Sequence, residues 1–279
     1  MSHSAPTPRA PTARRLAALT LAPLALVGLV AACGLGGLEH DRMIVATLVS
    51  VPALVAPGGQ EIAPAGAAAD LFWGQKAPGA NPLVVPSEGL PGATARVERT
   101  PTGAAAEALL LADQGDGHYV GTSADAPALA FAAGDSLLAR VVSGGESFSV
   151  GPVVAPPADP PLGLPVPGVD APHPLGEHLP VSRAGALPAF VTVFELGAGG
   201  PVQTWTNLPA GVTGLLNVAF NPSPWEVETY TIPGDKAFPR AGSYAVVITA
   251  VARGETADPL YSGSSLYVGA GAGAVVVVQ

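Results

Sequence analysis

The chain has a single cysteine, Cys33, among 279 residues. A lone cysteine excludes an intramolecular disulfide and offers no second thiolate for a zinc site. Lysine is almost as scarce, occurring only at Lys76 and Lys236, and 21 acidic residues outnumber 12 basic ones. Because so acidic a surface repels phosphate backbones, we expect no nucleic-acid partner.

The few basic residues are unevenly placed. Residues 1–32 hold three arginines and no acidic residue, and an apolar run, 16–30, follows the arginines. A basic start, a short apolar stretch and small residues before a cut are the parts of a secretory signal. A membrane-spanning helix is the alternative, but it needs about 20 apolar residues, and this run is shorter and contains Pro23 and Gly28.

The end of the apolar run, Val30-Ala31-Ala32-Cys33, resembles the lipobox of bacterial lipoproteins, with valine where leucine is commoner. The resemblance implies cleavage by signal peptidase II between Ala32 and Cys33 and a diacylglycerol on the Cys33 sulfur, with palmitate as a typical further acyl chain. Two or more chains hold a protein stably on a bilayer, where one is marginal. The alternative is an ordinary secretory signal that leaves Cys33 unmodified.

The lipobox-like segment sets the expected location. We predict a signal peptide over 1–32, a lipidated tether over 33–41, and a membrane-anchored lipoprotein of the cell envelope. Gly34 follows the cysteine, where an aspartate favours inner-membrane retention. We therefore expect the outer membrane if the host has two membranes.

A proline-rich stretch, 156–174, divides the remaining chain. Proline lacks the amide donor that a sheet interior needs, so this stretch predicts a semi-rigid linker. It separates a first β-sandwich domain, 42–155, from a second, immunoglobulin-like β-sandwich domain, 175–279. The alternative is a long ordered loop inside one domain.

Both sides of the proline-rich stretch show the period-two alternation of half-buried strands. Glycine and proline turns separate these short segments, a pattern typical of sandwiches. The fold class is therefore predicted to be all-β. Predicted strands include 43–51, 118–122, 137–142, 147–153, 190–196, 202–206, 225–230 and 244–249. The last predicted strand, 274–278, is expected to close the second sandwich or, alternatively, to pair with a partner's edge.

The segment Phe238-Pro239-Arg240-Ala241-Gly242-Ser243-Tyr244 resembles the tyrosine corner of immunoglobulin-like domains, in which a tyrosine opens a late strand after a tight turn. The resemblance implies that fold for the second domain. The comparable segment of the first half, 131–137, has no tyrosine.

Two strings resemble blocks of the GDSL hydrolases: Gly134-Asp135-Ser136-Leu137 and Asp170-Ala171-Pro172-His173-Pro174. The resemblance implies Ser136 as nucleophile, His173 as base and Asp170 as the orienting acid. The chain lacks the amphipathic helices of that family's α/β fold and has no Gly-x-Asn-Asp block to supply oxyanion donors. We therefore predict no catalytic residue and keep a GDSL-like serine esterase as an alternative.

Metal and sugar sites have weaker signals. Asp113-Gln114-Gly115-Asp116-Gly117 lacks the closing glutamate of a calcium loop, so a hairpin turn is favoured. His173, Glu177 and His178 would need a tight fold around an ion, so neither metal nor cofactor is predicted. The aromatic residues, Phe72, Trp73, Trp205 and Trp225, suit either the core or a platform for sugar rings, and core packing is favoured because only 5% of the chain is aromatic.

These observations together predict a non-catalytic, lipid-anchored envelope protein with a binding or scaffolding role. Its partners are expected to be the membrane, through the anchor, and an unidentified envelope protein or glycan. A glycan-binding accessory module is the second alternative beside the esterase.

Overall fold

The computed structural model describes residues 37–38, 40–55, 61–81, 84–197, 200–208, 223–255 and 259–279. They contain 3-10 turns at Pro127–Leu129 and Ser223–Trp225 and one helical turn, Gly234–Ala237. No helix within these ranges is long and apolar enough to cross a bilayer. The strands are β1 (Arg42–Val51), β2 (Leu54–Val55), β3 (Glu61–Ala63), β4 (Gly66–Gln75), β5 (Glu88–Gly89), β6 (Thr94–Thr100), β7 (Glu107–Leu110), β8 (Ala112–Asp113), β9 (His118–Thr122), β10 (Ser136–Ser143), β11 (Glu146–Val154), β12 (Leu179–Ser182), β13 (Ala189–Gly197), β14 (Gly200–Thr206), β15 (Thr229–Ile232), β16 (Gly242–Glu255) and β17 (Ser265–Val278). The predicted all-β class is confirmed.

One nine-stranded sheet, the main sheet, runs through both halves of the chain in the order β14-β13-β16-β17-β1-β4-β9-β8, with β5 beside β4. Its centre joins the first and last strands, since β1 pairs in parallel with β17 from Val45–Ser265 to Ser50–Ala270. The segments 42–155 and 175–279 therefore share a sheet. Their division into separate folding units stays a prediction.

The first sandwich core lies between the main sheet and a four-stranded sheet of order β11-β10-β6-β7. Alternate residues of each strand face this core, as period-two patterning requires. Its largest side chain, Trp73 of β4, is fully buried beside Phe148 of β11, with ring centroids 5.1 Å apart. Leu266 and Val268 of β17 belong to the same core.

The second core lies on the same face at the other end of the main sheet, under the β12–β15 pair. Tyr244 is fully buried there, and its hydroxyl donates to the Arg240 carbonyl at 2.7 Å. Its ring meets Phe238 edge-on at 5.1 Å. A tyrosine hydroxyl bonded to the backbone a few residues upstream is the defining geometry of a tyrosine corner. That prediction is confirmed.

The proline-rich segment 156–174 lies along the second sandwich. Leu162 forms a bridge to Ser182, and His173 forms one to Val278. Asp159 is buried and bonds Arg183, whose side chain is 1% exposed, at 3.3 Å. Both oxygens of Asp159 also accept backbone amides, from Ala184 at 3.2 Å and Gly185 at 3.0 Å.

We predict that Asp159→Ala lowers the free energy of unfolding by about 3–5 kcal/mol, because it leaves the buried Arg183 without its ion partner. Asp170→Ala, in the same segment, is the matched control. Asp170 is exposed and accepts one amide, from Val166 at 2.8 Å, so its loss should cost about 1 kcal/mol or less. Urea unfolding measures both, and equal effects would show that the segment is not held by Asp159.

Two predicted strands differ from the observed ones. The strand predicted over 225–230 is wrong, because a 3-10 turn ends at Trp225 and β15 begins at Thr229. The Trp225 carbonyl is turned toward the protein interior, where it accepts the Tyr230 hydroxyl at 2.7 Å. The last strand starts at Ser265 rather than residue 274 and pairs with β16 over its whole length, which confirms the closing-strand prediction.

Candidate functional site: the outer face of the main sheet

The predicted cleavage and lipidation residues, Ala32 and Cys33, lie outside the described residues, so their processing stays a prediction. The described chain starts just after them, at Gly37 and Leu38. Gly37 has a positive φ of 108°, a conformation that favours glycine, and is buried against the Leu260 backbone. The end of the predicted tether is therefore held on the sandwich.

Lys76 holds this entry segment in place. Its side chain is buried, its ammonium donates to the Leu38 carbonyl, and it lies 5.3 Å from the Tyr261 ring centroid. Its backbone amide donates to the Asp41 carbonyl at 2.8 Å, and the Tyr261 backbone amide donates to the Arg42 carbonyl at 2.7 Å. Burial raises the pKa of Tyr261 above its ordinary value of 10.

Leu38 packs on the face of the main sheet turned away from both cores, which we call the outer face. The side chains of an apolar cluster cover this face near the entry segment, and Leu38, Val85 and Trp225 pack against them. The cluster consists of Met43, Val45, Phe72, Phe190, Val251, Tyr261 and Tyr267.

Beyond this cluster the outer face opens into an apolar groove. One compartment has a volume of about 200 Å³ and the next about 310 Å³. Both are lined by Val49 and Val51 of β1, Phe194 of β13 and Val247 of β16, so they are continuous. No charged side chain occurs among the described residues that line them. We call this feature the outer groove and define it by Val49, Val51, Phe190, Phe194, Val247 and Val251.

A row of glycines in β17 lets the neighbouring side chains form the groove floor. Gly269, Gly271 and Gly273 alternate with alanines and face the outer side. A Cβ added at Gly269 would lie 2.6 Å from the Thr249 methyl group, and one at Gly271 would lie 2.9 Å from a Val51 methyl group. Side chains of β16 and β1 therefore lie over the glycine row, where larger residues would displace them.

The three candidate esterase residues each have other surroundings. Ser136 opens β10 of the four-stranded sheet, opposite Thr100 and Val154. His173 Nε2 donates to the Glu177 carbonyl at 3.0 Å. Its imidazole ring packs edge-on against Phe238 of the second core, with ring centroids 5.7 Å apart. The Asp170 carboxylate accepts the Val166 amide. The described contacts thus do not join these residues into a triad.

The metal candidates also have structural contacts. Asp113 accepts the Gly115 amide in the turn before β9 and the Gly92 amide from the segment between β5 and β6, both at 2.7 Å. His178 Nδ1 accepts the Gly234 amide at 3.1 Å. Across the described ranges, no group of three or more His, Cys, Asp or Glu residues is arranged to hold a metal ion.

The tryptophans pack against the protein. Trp73 is fully buried in the first core. Trp205 packs against the second core. The Trp225 ring lies beside that of Phe190, with ring centroids 6.1 Å apart, and its Nε1 donates to the Asn207 carbonyl at 3.3 Å. Phe72 is only 6% exposed. These positions favour packing over a sugar platform.

The aspartate of the Gly-Asp-Ser-Leu string is structural. Asp135 Oδ2 accepts Arg99 Nε at 2.8 Å and the Ala132 amide at 2.9 Å. Burial alone would raise the pKa of Asp135, but these hydrogen bonds outweigh it and hold the pKa below its ordinary value of 3.8. The carboxylate therefore stabilises the fold at neutral pH.

We predict that Asp135→Asn lowers the free energy of unfolding at pH 7 by about 1.5–3 kcal/mol. Folding lowers the pKa of Asp135. The carboxylate's contribution to the free energy of unfolding is therefore fully present above pH 3.8 and is lost as the pH falls through the pKa of the folded state. The difference in free energy of unfolding between Asp135→Asn and the wild type should therefore become smaller at acid pH, as measured by urea unfolding at a series of pH values. Asp116→Asn in an exposed turn is the control, and a gap that does not depend on pH would contradict the assignment.

Comparisons with known proteins leave the family open. No protein-family model matches the chain, and no curated protein matches it. Among solved structures it is similar to a tetra-tandem repeat in the extending region of a large adhesion protein, at 12% identity and a TM-score of 0.20. That match covers 84% of this chain and 50% of the adhesion-protein chain, so this chain spans about half the length of that structure.

Proposed function

We propose that this chain is a lipid-anchored protein of the cell envelope that acts by binding or scaffolding rather than by catalysis. The lipobox-like Val30-Ala31-Ala32-Cys33 supports the anchor. The docking of Leu38 on the outer face supports it further, because the folded part then begins only a few residues after the modified cysteine. The outer groove carries the binding role.

The outer groove suits a ligand better than a purely structural role. Its lining is carbon-rich, with Val49, Val51 and Phe194 each half-buried at its wall. Concave apolar sites of a few hundred Å³ are typical binding sites for small apolar groups. A non-catalytic role is favoured by the separate surroundings of Ser136, Asp170 and His173, each of which has structural contacts.

Separation of host membranes on a density gradient tests the anchor and its location. We expect the protein in the membrane fractions, and in those of the outer membrane if the host has two. Recovery in the soluble fraction would contradict the anchor. Recovery with the inner membrane would leave the anchor intact and contradict only the location inferred from Gly34.

A further inference from the structure

The entry segment and the outer groove lie on the same face of the main sheet. Leu38 packs against the apolar cluster of that face. Three members of the cluster, Phe190, Val251 and Tyr267, also line the groove. The groove is thus the open continuation of the surface on which the chain enters the fold. These three residues connect the surface beside Leu38 with the groove.

The tether that leads to this face is short. Three residues separate Cys33 from Gly37, which is buried on the sandwich, and the four steps from one to the other span at most about 14 Å when fully extended. Along β1, the four steps from Val45 in the cluster to Val49 in the groove span about 13 Å. An acylated Cys33 therefore keeps the entry end of the outer face beside the bilayer.

The chemistry of the groove selects among possible occupants. An extended peptide bound to a sheet needs free backbone groups at an edge. The floor strand, β17, instead pairs with β16 along its whole length and with β1 as far as Ala270, so at Gly269 both of its sides are paired. A sugar needs several hydroxyl partners, but Thr47 already donates to the Asp70 carbonyl and Thr192 bonds Thr206, which leaves Gln203 and Thr249 as the other polar side chains of the described lining. An aliphatic chain needs neither, because burying methylene groups against carbon is favourable by itself.

We propose that the outer groove binds an acyl chain of a membrane lipid; this rests on the lipid anchor of the proposed function. The lipid comes from the bilayer beside the entry segment. A chain of the protein's own anchor is the poorer source, because moving it into the groove would leave fewer chains to hold the protein on the membrane. The groove thereby gives the anchored protein a lipid-binding site on its membrane-adjacent face.

Photo-cross-linking in vesicles tests this proposal. The full acylated protein is reconstituted into vesicles of phosphatidylethanolamine and phosphatidylglycerol that contain a trace of phosphatidylethanolamine with a diazirine in one acyl chain. After illumination, mass spectrometry locates the adducts. We expect adducts on β1 near Val49 and on β13 near Phe194. The label is in the vesicle lipid alone, so the protein's own anchor cannot produce them.

Three variants separate binding in the groove from general proximity to the bilayer. Val51→Phe narrows both compartments and should reduce groove adducts about tenfold. Phe194→Ala widens the groove and should preserve or increase them, which keeps the test informative if the first variant folds poorly. Val154→Phe is the control, because Val154 is 63% exposed on β11, away from the groove, and should change nothing.

The outcomes distinguish the two proposals. Groove adducts that fall in Val51→Phe and persist in Val154→Phe support lipid binding. A vesicle-bound protein labelled only near Gly37 and Leu38 would overturn the lipid site and leave the anchor standing. A protein that lacks the acyl group and does not bind vesicles would overturn the proposed function and the lipid site with it.

Discussion

A chain truncated after Gly273 should lose the cooperative unfolding transition of the second sandwich. The missing residues pair with β16 from Val246 back to Gly242. Val276 and Val278 are fully buried in the second core. Removing two buried valines alone costs about 3–6 kcal/mol, and the lost strand pairing adds to this. The sum is comparable with the whole stability of a typical domain.

Thermal unfolding followed by circular dichroism measures this loss. Truncation after Val278 is the matched control, since it removes only the exposed Gln279 and its two backbone hydrogen bonds with Leu175 and His173. We expect the control to keep a transition close to that of the full chain. A chain ending at Gly273 that stays folded but loses a binding partner would instead identify the last strand as an interaction edge.

The Cys33→Ala variant should leave the membrane or remain as an unprocessed precursor. The physical reason is that two or more acyl chains give stable anchoring, whereas a polypeptide with none has no comparable membrane affinity. Fractionation followed by immunoblotting should show most of the protein moving from the membrane pellet to the soluble fraction, or a band larger by the predicted 32-residue signal.

Gly34→Ala is the control for this variant, because it changes the neighbouring residue and keeps the cysteine. We expect it to be processed and anchored as the native chain is. Normal cleavage and unchanged membrane association in Cys33→Ala would defeat the lipoprotein assignment. The lipid site proposed for the outer groove would be overturned with it.

The sequence pattern located several strands well. The predicted strand 118–122 has the bounds of β9, and 190–196 falls within β13. Alternating apolar side chains in these segments reflect burial of one face, which is a local property of the sequence. The hydrogen bond between Tyr244 and Arg240 was likewise predictable, because its partners are four residues apart and follow a recognisable turn.

The central strand pairing of the main sheet could not be predicted from the local pattern of apolar and polar residues. The Gly269-Ala270-Gly271-Ala272-Gly273 segment has the composition of a flexible link, yet it is the middle of β17. It forms a strand because Thr249 and Val51, from the two neighbouring strands, lie over its glycines. Such packing involves partners far apart in the chain, which periodicity does not reveal.

The outer groove was missed for the same reason. Val49, Phe194 and Val247 come from strands distant in sequence, and each looks like an ordinary strand residue on its own. A useful signal was nonetheless present, since β1, β13 and β16 all carry apolar or threonine side chains on both faces. A strand exposed to water on one face alternates with polar residues instead.

Mass spectrometry of the N-terminal peptide, isolated from protein in native membranes, shows directly whether Cys33 is the first residue and whether it is acylated. We expect a chain that begins at Cys33 and carries a diacylglyceryl group on its sulfur. The peptide should include the residues up to the docked Leu38, so it also defines the tether. An N-terminus elsewhere, or an unmodified Cys33, would contradict the anchor on which the membrane-adjacent outer face depends.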